Sequence, residues 1–164
     1  NEFNKRCDRI KMANIAQTIN VLQALIFTRD DKMVLTPTYH VFDLYKVHQD
    51  ALLLPSDLKC PDYEWNGKKI PSLNVSASKD KNGIIHISIV NIDPKSAISL
   101  VVDLRGANVK EISGKMLTAT SLNSMNTFEK PDEVKTEIFK DYKMDKNGIT
   151  VKMPAKSIVV LELK

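Results

Sequence analysis

Two cysteines in 164 residues, Cys7 and Cys60, are too few for a disulfide framework, and their spacing suits no metal site. The three histidines, His40, His48 and His86, are scattered. His40 and His48 stand about two helical turns apart, too far to share one ion easily. Aromatic residues are 6% of the chain, which leaves little to stack on nucleobases. Lys and Arg outnumber Asp and Glu by 24 to 20, but the signs are interleaved, as in Lys79-Asp80-Lys81. A nucleic-acid partner needs basic residues gathered on one face, so none is expected. The longest apolar run, residues 21–27, is too short to cross a bilayer and contains Gln23, so no membrane partner is expected. Phosphate loops, nucleophile elbows, dinucleotide fingerprints and internal repeats are all missing. The first residues, Asn-Glu-Phe-Asn-Lys-Arg, hold neither an initiator Met nor a signal-peptide core. The sequence is therefore expected to begin inside a longer protein. Any signal choosing between bacterial cytoplasm, periplasm and exterior would lie upstream.

What remains is an ordinary globular composition, 43% apolar and 27% charged. Residues 7–17 are ambiguous between helix and strand, because neither period gives a clean apolar face. The segment needs burial by something else. In residues 18–27 the spacing of Ile19, Leu22 and Ile26 predicts a helical turn or two, ending in strand near residues 25–28. Arg29-Asp30-Asp31-Lys32 is a polar turn. Thr36-Pro37 opens a helix, with Thr36 as N-cap and Pro37 at a position that needs no donor. The helix runs to about residue 48, with Val41, Leu44, Tyr45 and His48 on one stripe, and Asp43 able to pair with Lys46.

The regime changes after residue 50. A short strand near residues 51–54 ends at Pro55. Residues 59–69 read as a loop with a turn at Asn66-Gly67. Trp65 lies there, and its commoner fate is to cover a core edge, although an exposed aromatic can stack on a sugar ring. From residue 71 the pattern is β. Leu73, Val75 and Ala77 alternate with polar residues, and Asn82-Gly83 predicts a type I′ hairpin turn returning through Ile85, Ile87 and Ile89. Ile98, Leu100, Val102 and Leu104 alternate next, and Gly106 breaks them. Residues 109–120 form another strand with an irregularity at Gly114. Residues 121–134 are turn-rich and long, as a crossover between sheets or a functional loop would be. A second hairpin turns at Asn147-Gly148, and Val159, Leu161 and Leu163 face inward on the last strand. Asn74-Val75-Ser76 matches a glycosylation sequon by chance. Such short alternating strands predict a mainly β protein, an antiparallel, jelly-roll-like β-sandwich over residues 51–164. A glycosidase needs two carboxyl groups across the scissile bond, and no such pair stands out. On residue chemistry alone the chain is a scaffold.

A family resemblance adds to this reading. The block CDRIKMANIAQTINVLQA at residues 7–24, Leu35-Thr36-Pro37-Thr38-Tyr39-His40-Val41-Phe42 and Lys46-Val47-His48-Gln49-Asp50 resemble the closing barrel segment of α-L-arabinofuranosidases of glycoside hydrolase family 51. Ser76-Ala77-Ser78-Lys79-Asp80, Val90-Asn91-Ile92-Asp93 and residues 122–129 resemble that family's C-terminal sandwich. The blocks keep their order over nearly the whole chain. The resemblance implies that residues 1–50 are the last strand and helix of a (β/α)8 barrel, with residues 10–16 as strand. It implies a parent enzyme that releases terminal arabinofuranosyl groups from arabinan or arabinoxylan with retention, forms homo-oligomers and needs no metal or cofactor. Both catalytic glutamates would lie upstream of Asn1, so the chain by itself is expected to be inactive. Ala13-Asn14-Ile15-Ala16-Gln17 matches the motif that carries a sugar-contacting glutamine, which falls on Gln17, at the strand end where barrel sites gather. The alternative is a non-catalytic carbohydrate-binding module using Trp65 and residues 121–129. A brace for the barrel or for an oligomer is a third expectation.

Overall fold

Period-two alternation after residue 71 and one helical stripe before it set the architecture. The computed structural model describes residues 1–146 and 148–164. In chain order, a short helix α1 (Glu2–Lys5) precedes β1 (Ile26–Arg29), β2 (Lys32–Leu35) and α2 (Pro37–Tyr45), which tightens into a 3-10 turn over Lys46–His48. Then follow β3 (Leu52–Leu54), β4 (Asp62–Trp65), β5 (Lys68–Pro71), β6 (Leu73–Lys79), β7 (Ile85–Asn91) and β8 (Ile98–Val102). The chain closes with β9 (Ile112–Leu117), β10 (Glu137–Ile138), β11 (Tyr142–Asp145), β12 (Gly148–Met153) and β13 (Ser157–Leu163).

Among the described residues, six strands join in the order β10-β9-β13-β7-β6-β3 and three in the order β11-β12-β8. Every pair is antiparallel. The two sheets enclose one core. Leu73, Val75, Ile87, Ile89, Val159, Leu161 and Leu163 of the larger sheet meet Ile149, Val151 and Met153 of the smaller, with Phe139 among them. The mainly β antiparallel sandwich expected from the alternation is thus present. Central strand β13 is buried on both faces. Val159 and Leu161 enter the core, while Val160 joins Leu44, Leu117 and Val134 in a second cluster under α2. Burying side chains of this size stabilises by roughly 1.5–3 kcal/mol each.

Helix α2 forms as its sequence demands. Thr36 accepts from Tyr39 N–H at 3.4 Å and Pro37 occupies the first turn. Lys46 and Asp43 pair at 2.6 Å. The polar turn at Asp30-Asp31 joins β1 to β2, with Asp30 at φ 55°.

Several expectations need correction. Residues 10–16 form no strand, because a barrel strand needs a hydrogen-bonded neighbour on each side and this segment has none. Residues 18–24 are turns and bends rather than helix; their backbone groups bond instead to β1. The loop over residues 59–69 is a hairpin, β4–β5, with Asn66 and Gly67 both at positive φ. The β6–β7 turn is not type I′, since only Gly83 has positive φ and the connection is longer. Asp80 sets it, accepting N–H bonds from Asn82 at 2.8 Å and Ile84 at 2.9 Å. Gly114 lies in regular ladder opposite Leu161, and its lack of a side chain admits Phe139: a Cβ there would stand 3.1 Å from that ring. Residues 121–134 do not cross between sheets, because β9 and β10 pair in one sheet. Asn147 lies outside the described residues.

Candidate functional site

Gln17 sits on an exposed, irregular stretch, in the left-handed region at φ 49°. Asn20 at 56° and Gln23 at 64° share that conformation within seven residues. Non-glycine residues there are uncommon, and such strain gathers at functional sites. Local bonds hold the stretch. Thr18 carbonyl accepts from Leu25 N–H and Ile26 N–H, both at 3.1 Å, and Ile19 bridges Ile26 in parallel. Asn20 Oδ1 accepts from Thr28 N–H at 2.7 Å while its Nδ2 donates to Thr28 Oγ1 at 2.8 Å. Thr36 Oγ1 donates to Ala24 and Leu25 carbonyls at 3.0 and 3.1 Å.

The loop over residues 121–134 fastens this region to the sandwich. Asn126 is buried; its Nδ2 donates to Leu35 and Val134 carbonyls, and its Oδ1 accepts from Val134 N–H, each at 2.7 Å. Arg29 of β1 donates to Glu129 at 3.1 Å and lies over the Phe128 ring at 4.3 Å. Residues 126–129 therefore grip the hairpin that follows Gln17. Trp65 stands elsewhere, on the β4–β5 hairpin, and is 65% exposed rather than covering a core edge. Cross-strand pairing puts Tyr63, Trp65, Lys68 and Ile70 on one face of that hairpin.

Sequence reasoning missed a polar layer beneath α2. His48 contacts Ser78 Oγ at 2.7 Å through Nδ1 and Ser88 Oγ at 2.5 Å through Nε2. Tyr45 OH donates to Asn1 Oδ1 at 2.9 Å, and Ser76 Oγ donates to the same oxygen at 2.8 Å. Burial, then the nearby His86 and the amino terminus, push His48 down to about 4; burial pushes Tyr45 up to about 12. A serine beside a histidine suggests a nucleophile and its base. Here Ser88 has no exposed surface, and both ring nitrogens of His48 are engaged by serines instead of one being held by a carboxylate. The layer is structural. Its serines alternate with Val75 and Ala77 just as solvent-facing residues would, so their burial leaves no mark in the sequence.

Four carboxyl groups are held low by their neighbours. Glu2 is held below the usual range by Asn74 and Lys5, and Asp93 by the Lys95 and Ser96 N–H groups. Glu129 is held low by its own N–H and by Arg29, and Glu162 by Lys164. A general acid needs the opposite displacement. Among the described residues, grooves mark the surface. One of about 460 Å³ runs between residues 57–61 and β8, and one of about 290 Å³ lies beside Glu133, Lys135 and Glu137. Neither is lined by Gln17 or Trp65. Among the described residues no cluster of three or more His, Cys, Asp or Glu could hold a metal, and no helix is long and apolar enough to cross a membrane.

Residues 1–157 match the family model of the α-L-arabinofuranosidase C-terminal domain. The chain belongs to that family. It is 50% identical over 163 residues to an intracellular exo-α-L-arabinofuranosidase of Bacteroides ovatus, covering 99% of this chain and 32% of that protein. A probable α-L-arabinofuranosidase C of Aspergillus niger is 27% identical over 133 residues, which are 75% of this chain and 26% of that protein. The structure of a family 51 arabinofuranosidase from Xanthomonas axonopodis pv. citri superposes with a TM-score of 0.95 and 41% identity, over 99% of this chain and 33% of that one. The family 51 α-L-arabinofuranosidase of Bifidobacterium longum shares the fold, with a TM-score of 0.89 at 22% identity, over 99% of this chain and 32% of that one. The chain thus spans about a third or less of the length of these relatives. Within the family 51 arabinofuranosidases the matching part is the C-terminal one, the mainly β sandwich with its preceding helix.

Proposed function

We propose that this chain is the C-terminal accessory part of a retaining, exo-acting α-L-arabinofuranosidase. The parent releases terminal arabinofuranosyl groups from arabinan or arabinoxylan and assembles as a homo-oligomer. Residues 1–50 are the end of its catalytic barrel and residues 51–164 its sandwich. The two catalytic carboxylates stand upstream, and Gln17 contacts the sugar. The observation that carries this reading is the 50% identity to the Bacteroides ovatus enzyme over 163 residues, combined with a span of 32% of that enzyme.

The test is to incubate the full-length protein with arabinan and follow the anomeric proton signals by NMR. Release of free arabinose, first in the α configuration of the substrate, is expected. Absence of arabinose, or first appearance of the β anomer, would contradict the reading. A second reading, a sugar-binding module, draws on Trp65 and its exposed hairpin face. Calorimetric titration of the chain with arabino-oligosaccharides separates the two: saturable binding abolished by Trp65→Ala favours the module, and no heat favours the brace.

A further inference from the structure

Residues 10–17 carry no regular structure, yet the backbone is held from Thr18 onward, and three positions beyond Gln17 a side chain joins in. Asn20 N–H donates to Ile26 carbonyl at 3.1 Å. Its side-chain amide meets both the N–H and the hydroxyl of Thr28, at 2.7 and 2.8 Å. Thr28 belongs to β1, whose register with β2 is set by pairing of Thr28 with Met33 and Ile26 with Leu35. The next residue, Arg29, is clasped by Phe128 and Glu129. A continuous set of contacts therefore leads from the sandwich loop through β1 to Asn20. The Thr18 carbonyl, bonded twice to residues 25 and 26, closes the same loop directly after Gln17.

We propose that Asn20 is a positioning residue for Gln17, its two bonds to Thr28 setting where the Gln17 amide stands in the sugar site. This rests on the reading of Gln17 as a sugar contact. Asparagine suits the place on two counts. Its short polar side chain tolerates the left-handed backbone. It also offers one acceptor and one donor, which Thr28 matches with one donor and one acceptor. Gln17 has a flexible side chain on a backbone that lacks ladder bonds, so the anchors just after it, the Thr18 carbonyl and the Asn20 side chain, govern its placement. Misplacing a substrate-contacting group by about 1 Å can cost on the order of a hundredfold in rate.

The test uses the full-length enzyme and a chromogenic arabinofuranoside. Asn20→Gly keeps the positive φ and removes only the side-chain bonds. It is expected to lower kcat/KM about ten- to hundredfold with the thermal midpoint unchanged. Asn20→Asp retains the acceptor for Thr28 N–H, and the Thr28 hydroxyl can turn to donate to the second oxygen, so most activity is expected to return. Thr28→Val, which keeps the branched shape, is expected to show a partial loss; it serves as the second probe if the Asn20 variants unfold. In a Gln17→Ala background, Asn20→Gly is expected to add nothing. Full kcat/KM in both Asn20→Gly and Thr28→Val overturns the proposal. So does a loss that multiplies undiminished with that of Gln17→Ala, and in that case the Gln17 reading survives. Full kcat/KM in Gln17→Ala overturns the Gln17 reading and the proposal together.

Discussion

His48 shows what a single buried residue contributes. Both ring nitrogens are engaged by buried serines, and burial holds its pKa at about 4 against the usual 6.5. Between those values the unfolded chain binds a proton that the folded chain refuses. The His48 contribution to stability is therefore complete above pH 6.5 and is lost as pH falls toward 4. Allowing for solvent screening of a half-buried ring, the loss amounts to about 1–2 kcal/mol. Urea unfolding at neutral and mildly acidic pH should show this decline, and His48→Gln should flatten it. Parallel pH profiles for both proteins would refute the assignment. Gly114 makes a second residue-scale case. A Cβ there would stand 3.1 Å from the Phe139 ring and 3.2 Å from Leu161, so Gly114→Ala should cost about 1–3 kcal/mol in the same urea experiment. Neither effect is legible in the sequence. Ser78 and Ser88 look solvent-facing until α2 is laid over them, and Gly114 looks like a break until Phe139 is seen to fill its space.

At the scale of elements, local chemistry explains most of what was foreseen. The Thr36-Pro37 cap, the alternation in β6, β7 and β13, and the Asp30-Asp31 turn depend on near neighbours, and each appears. The failures are elements whose partners are remote or missing. Residues 10–16, proposed as the last barrel strand of the parent, have no neighbouring strand to pair with here. Residues 121–134 resemble a free loop, yet Asn126 ties them to Leu35, far away in sequence. That tie is testable. Asn126→Ala leaves the buried Val134 carbonyl and N–H and the half-buried Leu35 carbonyl without their partner, and should lower stability by about 2–3 kcal/mol. It should also quicken hydrogen exchange at Val34 and Leu35. Unchanged exchange there would mean that the loop does not hold the hairpin. Gln17 is proposed from its motif, whereas the bonds of the Asn20 side chain to Thr28 are visible only in hydrogen-bond geometry.

For the whole molecule, the sandwich has a closed core while the face before it stays open. Leu22 is 90% exposed and Met12 76%, with Ile19 and Met33 also uncovered. An apolar face of this kind favours association. The isolated chain should self-associate in light scattering, and Leu22→Ser with Met33→Ser should reduce the apparent mass. A monodisperse monomer before substitution would contradict this. This chain spans about a third of the matched relatives, which leaves the remainder of those proteins unmatched. Everything proposed about activity depends on that remainder carrying the catalytic carboxylates. The most direct test is a chromogenic α-L-arabinofuranoside assay run side by side on the isolated chain and on the full-length protein. Turnover by the full-length protein alone is expected. Turnover by the isolated chain, or by neither, would contradict it.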